Sequence, residues 1–255
     1  MPKPRLAYAA NRQIGLNILR ILLASDWEPV VLVLAKGKAA TFDESMRELL
    51  PRTPVLAGKI FRESEGIALL RELDIDYFLS VHFPYIIPPT VLELPSVGCL
   101  NLHPAYLPYN RGWHTPTWAI LDGTPYGATL HWIDEGIDTG DIARQRQVDV
   151  RPDDTAHTLY QRVLSVEEEL FREAVPQMMS CTLPRIPQDT IGTVHNKNDL
   201  ASIRKLDFEN RPYIQEAITL LRALTTNHDS EAAYFETDGV RYSVQIEIKR
   251  LDDET

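Results

Sequence analysis

The sequence predicts an α/β protein with a doubly wound, Rossmann-like, mostly parallel sheet and a small C-terminal extension made of one helix and a β-hairpin. In the first part of the chain, short apolar segments alternate with amphipathic ones, as is typical of βαβ units. One of these segments, residues 29–35, is apolar throughout, as expected for a strand covered on both faces. The last part instead carries Asp238-Gly239 between two alternating segments, which is a strong hairpin signal.

The predicted elements of the main domain follow one another in βαβ order. Leu16, Leu19 and Leu22 recur at helical spacing after a short apolar run, so a strand is followed by a helix. Acidic residues near 153 favour the start of a long helix there, because they complement the helix dipole. The predicted strands are 5–10, 29–35, 76–81, 98–102, 128–133 and an edge strand at 145–150, and the predicted helices are 15–24, about 45–50, 63–73 and 152 to about 179.

The extension has a different pattern of predicted elements, without βαβ units. A helix is predicted over 212–224, followed by hairpin strands at 233–237 and 240–248. The second strand places Tyr242, Val244, Ile246 and Ile248 on one face. A lone hairpin is only marginally stable in water, so this face must cover either the main domain or a second subunit. Prolines at 184 and 187 mark the boundary, and we predict a main domain at 1–187 and an extension, involved in dimerisation, at 188–255.

Composition excludes several classes of protein. The 255 residues carry 26 basic and 36 acidic side chains, a net charge of −10, which repels nucleic acid at long range. The two cysteines lack metal-type spacing, so neither a disulfide framework nor a zinc site is expected. The histidines at 82, 114 and 131 also lack it, and we predict no metal. No signal peptide and no long apolar run is present, so we expect no membrane partner and a cytoplasmic protein.

The residues that point to chemistry lie between 97 and 142. Asn101 and His103 stand two apart at the end of a predicted strand, so they point to the same face. Open α/β sheets bind ligands at the carboxyl ends of their strands. Further along, Gly136 and Gly140 bracket Asp138 and permit a tight loop. Asp138 can therefore reach His103 and fix its tautomer or raise its pKa.

The segments NLHPAYLP and DEGIDTGDI resemble the folate-dependent formyltransferase family over roughly residues 1–180. Ala105 departs from the pattern, because many relatives have serine there. The resemblance implies transfer of a formyl group from N10-formyltetrahydrofolate to an amine. It implies that Asn101 donates to the tetrahedral oxyanion and that Asp138 orients His103. His103 either accepts the amine proton or, when charged, assists the oxyanion and leaving group.

The same resemblance suggests where the two substrates bind. VHFPYIIP is similar to the family's folate loop, and the backbone of 132–138 would form the opposite wall; the alternative for each side chain is simple packing. The predicted cofactor-binding residues are Phe83, Tyr85, Ile86, Trp132 and Gly136. A planar guanidinium, aromatic faces and a helix N-terminus favour a phosphorylated sugar. The predicted acceptor-binding residues are Asn11, Arg12, Tyr109, Arg111 and Trp113.

The tail indicates the acceptor. Residues 191–200, IGTVHNKNDL, with the final helix and hairpin, resemble the tail of the sugar N-formyltransferases. Those enzymes act on GDP- or dTDP-linked 3- or 4-amino-dideoxy sugars, such as GDP-perosamine, for surface glycans including O-antigen. They are typically homodimers. Two alternatives stay open: another small amine such as hydroxyornithine, and an inactive folate- or nucleotide-binding module. Methionyl-tRNA formyltransferases carry a longer C-terminal barrel domain, and the acidic charge argues against tRNA.

Overall fold

A mostly parallel sheet forms the main part of the structure, a computed structural model that describes residues 3–189, 191–207, 209–210 and 212–250. The first eight strands are β1 (Leu6–Ala10), β2 (Val31–Leu34), β3 (Val55–Ala57), β4 (Tyr77–Val81), β5 (Gly98–His103), β6 (Arg111–Gly112), β7 (Tyr126–Trp132) and β8 (Ile142–Val148). Seven of them, all except β6, form one sheet in the order β3-β2-β1-β4-β5-β7-β8.

Helices alternate with these strands and continue into the extension. The helices are α1 (Arg12–Ala24), α2 (Asp43–Leu49), α3 (Ser64–Glu72), α4 (Pro89–Leu92), α5 (Thr115–Asp122), α6 (Ala156–Met179) and α7 (Ile214–Ala223). The remaining strands are β9 (Val194–His195), β10 (Ala233–Thr237) and β11 (Val240–Val244). β10 and β11 form the predicted hairpin, and β9 pairs with β6.

The predicted fold class is confirmed. β3, β2, β1, β4 and β5 run parallel to one another, and only then does β7 join β5 in the antiparallel direction. Every residue of β1, β2 and β4 is buried, which explains why these strands are apolar throughout rather than alternating. β8 lies at the edge of the sheet, as its mixed composition predicts.

Two element boundaries differ most from the sequence prediction. The long helix begins at Ala156 rather than 152, because the Asp154 carboxylate accepts a hydrogen bond from the backbone N–H of Arg151 (2.7 Å) and ties up that turn. The second hairpin strand ends at Val244 rather than 248. Ile246 instead donates its backbone N–H to the hydroxyl of Thr225 (3.1 Å), so the chain leaves the hairpin there.

The chain divides into two compact units. The first comprises residues up to 103, 128–146 and 166–188, and the second comprises 104–127, 147–165 and the chain from 189 onward. Within the second unit, one side of the hairpin is covered: Val244 packs against a cluster containing Leu200, Leu224 and Ala233. The division at 187 between a catalytic domain and a dimerising extension stays a prediction.

Candidate active site

Four polar side chains meet on one face of the first unit, and we call them the polar cluster: Asn101, His103, His131 and Asp138. Asn101 and His103 are alternate residues of β5, so they share a face of the sheet. The antiparallel neighbour β7 sets His131 directly opposite Asn101. His103 and His131 are 7% and 1% exposed. The sheet therefore holds an amide and two imidazoles in a nearly dry setting.

Asp138 joins the two imidazoles. Its carboxylate oxygens lie 3.5 Å from His103 Nε2 and 3.4 Å from His131 Nε2. The side-chain amide nitrogen of Asn101 lies 3.2 Å from His131 Nε2. The His103 and His131 rings are perpendicular, with centroids 6.1 Å apart. The structure thus brings together the three residues predicted to carry the chemistry, and it adds His131, to which the sequence analysis assigned no role.

The loop after β7 turns the carboxylate back onto the sheet. The start of this loop lies next to Cys99, whose carbonyl accepts a hydrogen bond from the Ile133 N–H (2.8 Å). Asp138 has the left-handed φ of 52°, which short polar side chains tolerate. The Gln188 side chain donates to the carbonyls of Asp138 (2.9 Å) and Gly140 (2.6 Å). Gln188 was not predicted; its partners are backbone atoms, so no pattern of residue types reveals it.

Glycines at 136 and 140 are needed because the loop is tight. A Cβ at Gly140 would lie 2.0 Å from the carbonyl oxygen of Trp132, and one at Gly136 would lie 2.0 Å from the Thr139 hydroxyl. That hydroxyl in turn donates to the Asp134 carboxylate (2.6 Å), which also accepts the Gly136 N–H (3.0 Å). Gly136, predicted to bind the cofactor, therefore has a demonstrable role in closing this loop; contact with a cofactor stays a prediction.

A buried histidine and a buried carboxylate form a pair where β4 ends. His82 has a left-handed φ of 48°, and its Nε2 lies 2.9 and 3.0 Å from the two carboxylate oxygens of Glu167 on α6. The two side chains are only 5% and 0% exposed. Because a buried carboxylate needs a charged or hydrogen-bonding partner, this pair fixes the second residue of the predicted folate loop.

The predicted folate-loop residues differ in exposure. Phe83 packs between Phe61 and Tyr85, with ring centroids 5.5 and 5.2 Å away, and the Tyr85 hydroxyl accepts the Lys36 N–H (3.4 Å). Ile86 is 79% exposed. Trp132 is buried, donates its indole N–H to Pro184 and lies under the Arg185 guanidinium. Of these residues, Ile86 thus presents the largest open apolar surface.

The side chain of Asn11, which is predicted to bind the acceptor, forms hydrogen bonds within the first unit. Its carboxamide donates to the Ala39 carbonyl (2.9 Å) and accepts from the N–H and hydroxyl of Thr41 (3.0 and 2.9 Å). The backbone N–H of Arg12 also bonds the Thr41 hydroxyl (3.1 Å), and its side chain is exposed. Asn11 thus holds the loop beyond β2, while the Arg12 side chain faces solvent.

The other predicted acceptor residues lie in residues 109–114 of the second unit, which we call the aromatic loop. β9 holds its backbone: Arg111 and Trp113 donate their N–H groups to the carbonyls of Thr193 and His195 (both 3.0 Å). Gly112, with φ of 91°, passes so close that a Cβ would meet the His195 carbonyl at 2.3 Å. Trp113 is 41% exposed, with Lys197 Nζ 5.1 Å from its ring centre. Tyr109 is half-buried.

The part of the chain that the structure describes does not support a metal site, a reactive thiolate at Cys99 or a membrane-spanning helix. No group of three or more His, Cys, Asp or Glu side chains there is arranged to hold a metal ion. Burial raises the pKa of the Cys99 thiol to about 12, so this neighbour of the polar cluster stays a protonated thiol near neutral pH. In the same residues, no helix has the length and apolar character needed to cross a membrane.

A buried imidazole beside a carboxylate can move a proton, and an adjacent amide can stabilise an oxyanion, so the site has the parts of a group-transfer enzyme. The formyl transferase family model matches residues 24–175, and the N-formyltransferase dimerization C-terminal domain model matches 199–250. The chain belongs to the formyl transferase family. It is an enzyme, an N-formyltransferase, as the sequence predicts.

Two kinds of curated relative are similar to this chain. A dTDP-4-amino-4,6-dideoxyglucose formyltransferase from Mycobacterium tuberculosis is 30% identical over 174 residues, which cover 68% of this chain and 74% of the relative. A methionyl-tRNA formyltransferase from Myxococcus xanthus is 33% identical over 233 residues, which cover 88% of this chain and 72% of that protein. The relatives therefore share the chemistry and differ in the acceptor.

Two solved structures are also similar. A 4-N formyltransferase from Francisella tularensis matches with a TM-score of 0.82 at 25% identity, covering 98% of this chain and 99% of its own. The formyltransferase PseJ from Anoxybacillus kamchatkensis, in complex with UDP-4,6-dideoxy-4-formamido-L-AltNAc and tetrahydrofolate, matches with a TM-score of 0.55 at 31% identity, covering 68% and 88%. The first of these spans both the sheet and the extension.

Proposed function

We propose that this enzyme transfers a formyl group from N10-formyltetrahydrofolate to the amine of a nucleotide-linked amino-dideoxy sugar. The observation that carries the proposal is the convergence of Asn101, His103 and Asp138, with the carboxylate 3.5 Å from the His103 imidazole. An amine that attacks a formyl carbon needs two kinds of group, and the cluster contains both: a hydrogen-bond donor to the oxyanion and a proton carrier.

The proposed steps follow from these groups. The amine attacks the formyl carbon, and the carbonyl oxygen becomes an oxyanion to which the Asn101 amide donates. His103 takes the amine proton and passes it to the leaving nitrogen or, if charged at the start, gives its own proton to the leaving nitrogen and takes the amine proton in return. Asp138 keeps the His103 ring in place and compensates its positive charge. The C–N bond to tetrahydrofolate then breaks, and its nitrogen recovers a proton. One oxyanion donor contributes about 10²–10³ in rate, and one general acid or base about 10²–10⁴.

The loops of the first unit fit a reduced folate. Ile86 and Ile137 are 79% and 52% exposed, and such exposed apolar side chains suit a flat heterocycle. The backbone of residues 83–86 and 132–138 would supply hydrogen bonds to its polar edge. When bound, the cofactor supplies the activated formyl group. Phe83 and Tyr85 would support this site from behind, because both pack into the core.

A dTDP-linked 4-amino-4,6-dideoxy sugar is the first acceptor to test, on the precedent of the mycobacterial relative. PseJ is in complex with a UDP-linked 4-formamido sugar, so the nucleotide varies among similar proteins. We propose that Arg111 and Trp113 of the aromatic loop contact the nucleotide, with Arg12 and Tyr109 as further candidates. GDP-linked and 3-amino sugars, a role in O-antigen synthesis and a cytoplasmic location remain proposals from the sequence.

We also propose a homodimer formed through the extension. The dimerization-domain model matches residues 199–250. Large apolar side chains are exposed in α7 and directly before it, with Tyr213 at 81%, Ile214 at 80% and Ile218 at 45%. Ile214 and Ile218 lie one turn apart and therefore share a face. Adding a charge at Ile214 should yield a monomer in sedimentation analysis, whereas the wild type sediments as a dimer.

The testing experiment is an acceptor panel. Purified enzyme is incubated with ¹³C-formyl donor and dTDP-, GDP- or UDP-linked amino sugars, hydroxyornithine or methionyl-tRNA, and labelled formamide is measured by mass spectrometry. Label on a nucleotide sugar supports the proposal. Label only on hydroxyornithine or methionyl-tRNA contradicts the acceptor. Label on none, with donor binding intact, would indicate a binding module. The His103→Asn enzyme is the matched negative control.

A further inference from the structure

His131 is the polar-cluster member to which the sequence assigned no role, and its contacts define its proton. Nδ1 lies 2.8 Å from the backbone carbonyl of its neighbour Trp132. A carbonyl only accepts, so Nδ1 must carry a hydrogen. A neutral imidazole has one N–H, and its Nε2 is then a bare acceptor. The orientation of the ring therefore dictates the chemistry of the nitrogen that faces Asn101.

The group opposite Nε2 must donate. Asn101 lies across the strand pair from His131, with its side-chain amide nitrogen 3.2 Å from Nε2. Had the amide turned over, its oxygen would face a lone pair, and the contact would be repulsive. Since His131 is 1% exposed, water has little access to relieve that repulsion. The tautomer of His131 thus selects one of the two orientations of the Asn101 amide.

Two titratable groups face His131, and both are compatible with a neutral ring. Asp138 Oδ1 is 3.4 Å from Nε2, longer than the roughly 2.7–2.9 Å of a charge-assisted hydrogen bond. The His103 ring is perpendicular, with its centroid 6.1 Å away, and its Nε2 lies near the other Asp138 oxygen. Asp138 can therefore take its hydrogen from His103 and leave His131 Nε2 to Asn101.

We infer that His131 is a positioning residue, which uses its bare Nε2 to hold the Asn101 carboxamide in the orientation that presents the second N–H to the reacting formyl oxygen. This inference rests on the proposed function of Asn101 as oxyanion donor. One amide hydrogen is anchored by His131 and the other remains for the substrate. Without the anchor, the amide is free to present its oxygen, which would repel the developing oxyanion.

The first test is nuclear magnetic resonance of ¹⁵N-histidine-labelled enzyme, which needs no turnover. The expected spectrum for His131 near neutral pH has a protonated Nδ1 and an unprotonated Nε2. A protonated Nε2, in the neutral or charged ring, overturns the inference. The His131→Leu spectrum assigns the resonances. If the wild type shows no formyl transfer at all, that result counts against the proposed function alone, because this reading is independent of activity.

The second test is a double-mutant cycle. His131→Leu should lower kcat about 10- to 100-fold, as expected for a misplaced donor, with little change in the KM for the folate. His131→Gln keeps an acceptor oxygen and should stay within a few-fold of wild type. In an Asn101→Ala background, His131→Leu should cost no more than about twofold. Equal losses in both backgrounds would show that His131 does not act through Asn101.

Discussion

The polar cluster of the first unit and the aromatic loop of the second unit hold their side chains in opposite ways. In the cluster, the side chains contact one another and both imidazoles are buried, with His103 and His131 at 7% and 1% exposed. In the aromatic loop, the backbone is fixed by β9 while Trp113 remains 41% exposed. Fixed, dry side chains suit transition-state stabilisation, whereas exposed aromatic side chains on a fixed backbone suit ground-state binding. Changes in the first should lower kcat, and changes in the second should raise KM.

The largest effect is expected for His103→Asn, which removes the proton carrier from the cluster. We expect kcat to fall about 10²–10⁴-fold, the usual range for a general acid or base, with the fold unchanged by circular dichroism. His228→Asn, at an exposed position of the second unit, is the control and should keep full activity. Near-wild-type kcat in His103→Asn would remove the imidazole from the reaction.

Gly140→Ala should break the cluster without touching a polar side chain. The added Cβ would meet the Trp132 carbonyl at 2.0 Å, so the loop must shift and carry Asp138 away from the imidazoles. We expect kcat to fall about 10²-fold, since displacements near 1 Å have that cost. Gly37→Ala changes a glycine that has a φ of 68° and no atom within 4 Å of its Cβ, so it should lose a little stability and no activity.

Glu167→Ala tests the buried support under the folate loop. Removing one partner of a buried pair strands the other, and we expect the free energy of unfolding in urea to drop by about 3 kcal/mol. The KM for the folate should rise because His82 is part of the predicted folate loop. Glu169→Ala, on the same helix but with its side chain 63% exposed, should change both quantities little. Equal effects of the two substitutions would contradict this account.

Trp113→Ala tests the role of the aromatic loop in binding the acceptor. Losing an exposed aromatic face costs roughly 0.5–1.5 kcal/mol, so the KM for the acceptor should rise about 3- to 10-fold. The kcat and the KM for the folate should stay near wild type in steady-state kinetics. A large fall in kcat with unchanged acceptor KM would place Trp113 with the chemistry instead.

The smallest effect is a pH effect at the exposed edge of the sheet. The hydrogen bond from Arg146 lowers the pKa of Glu173. A lowered carboxyl pKa adds stability above the unfolded pKa of about 4.3, and this stability disappears as the pH falls through the lower folded value. Glu173→Gln should therefore melt slightly below the wild type near neutral pH, and the gap should close in strong acid. A constant difference in melting temperature between the two proteins across this pH range would exclude an ionic origin of the stabilisation.

The sequence predicted four of the five parallel strands, all except β3, and the three polar residues, because apolar runs and the Asn-x-His spacing are local patterns. It did not identify His131, because that requires the register of β7 against β5, which puts His131 opposite Asn101. The sequence also did not predict the hydrogen bonds of the Asn11 and Gln188 side chains. Both sets of bonds depend on backbone atoms that are distant in sequence. Helix α5 was not predicted, since it follows His114 at a φ of 56° and contains a proline in its first turn.

The central claim is that the polar cluster transfers the formyl group, and single-turnover kinetics of Asp138→Asn test it most directly. Enzyme in excess is mixed with ¹³C-formyl donor and amino sugar, and labelled product is followed in time. The account predicts a rate at least about 10²-fold below wild type, with unchanged affinity for the folate by fluorescence titration. Labelled formamide appearing at nearly the wild-type rate in Asp138→Asn would contradict it.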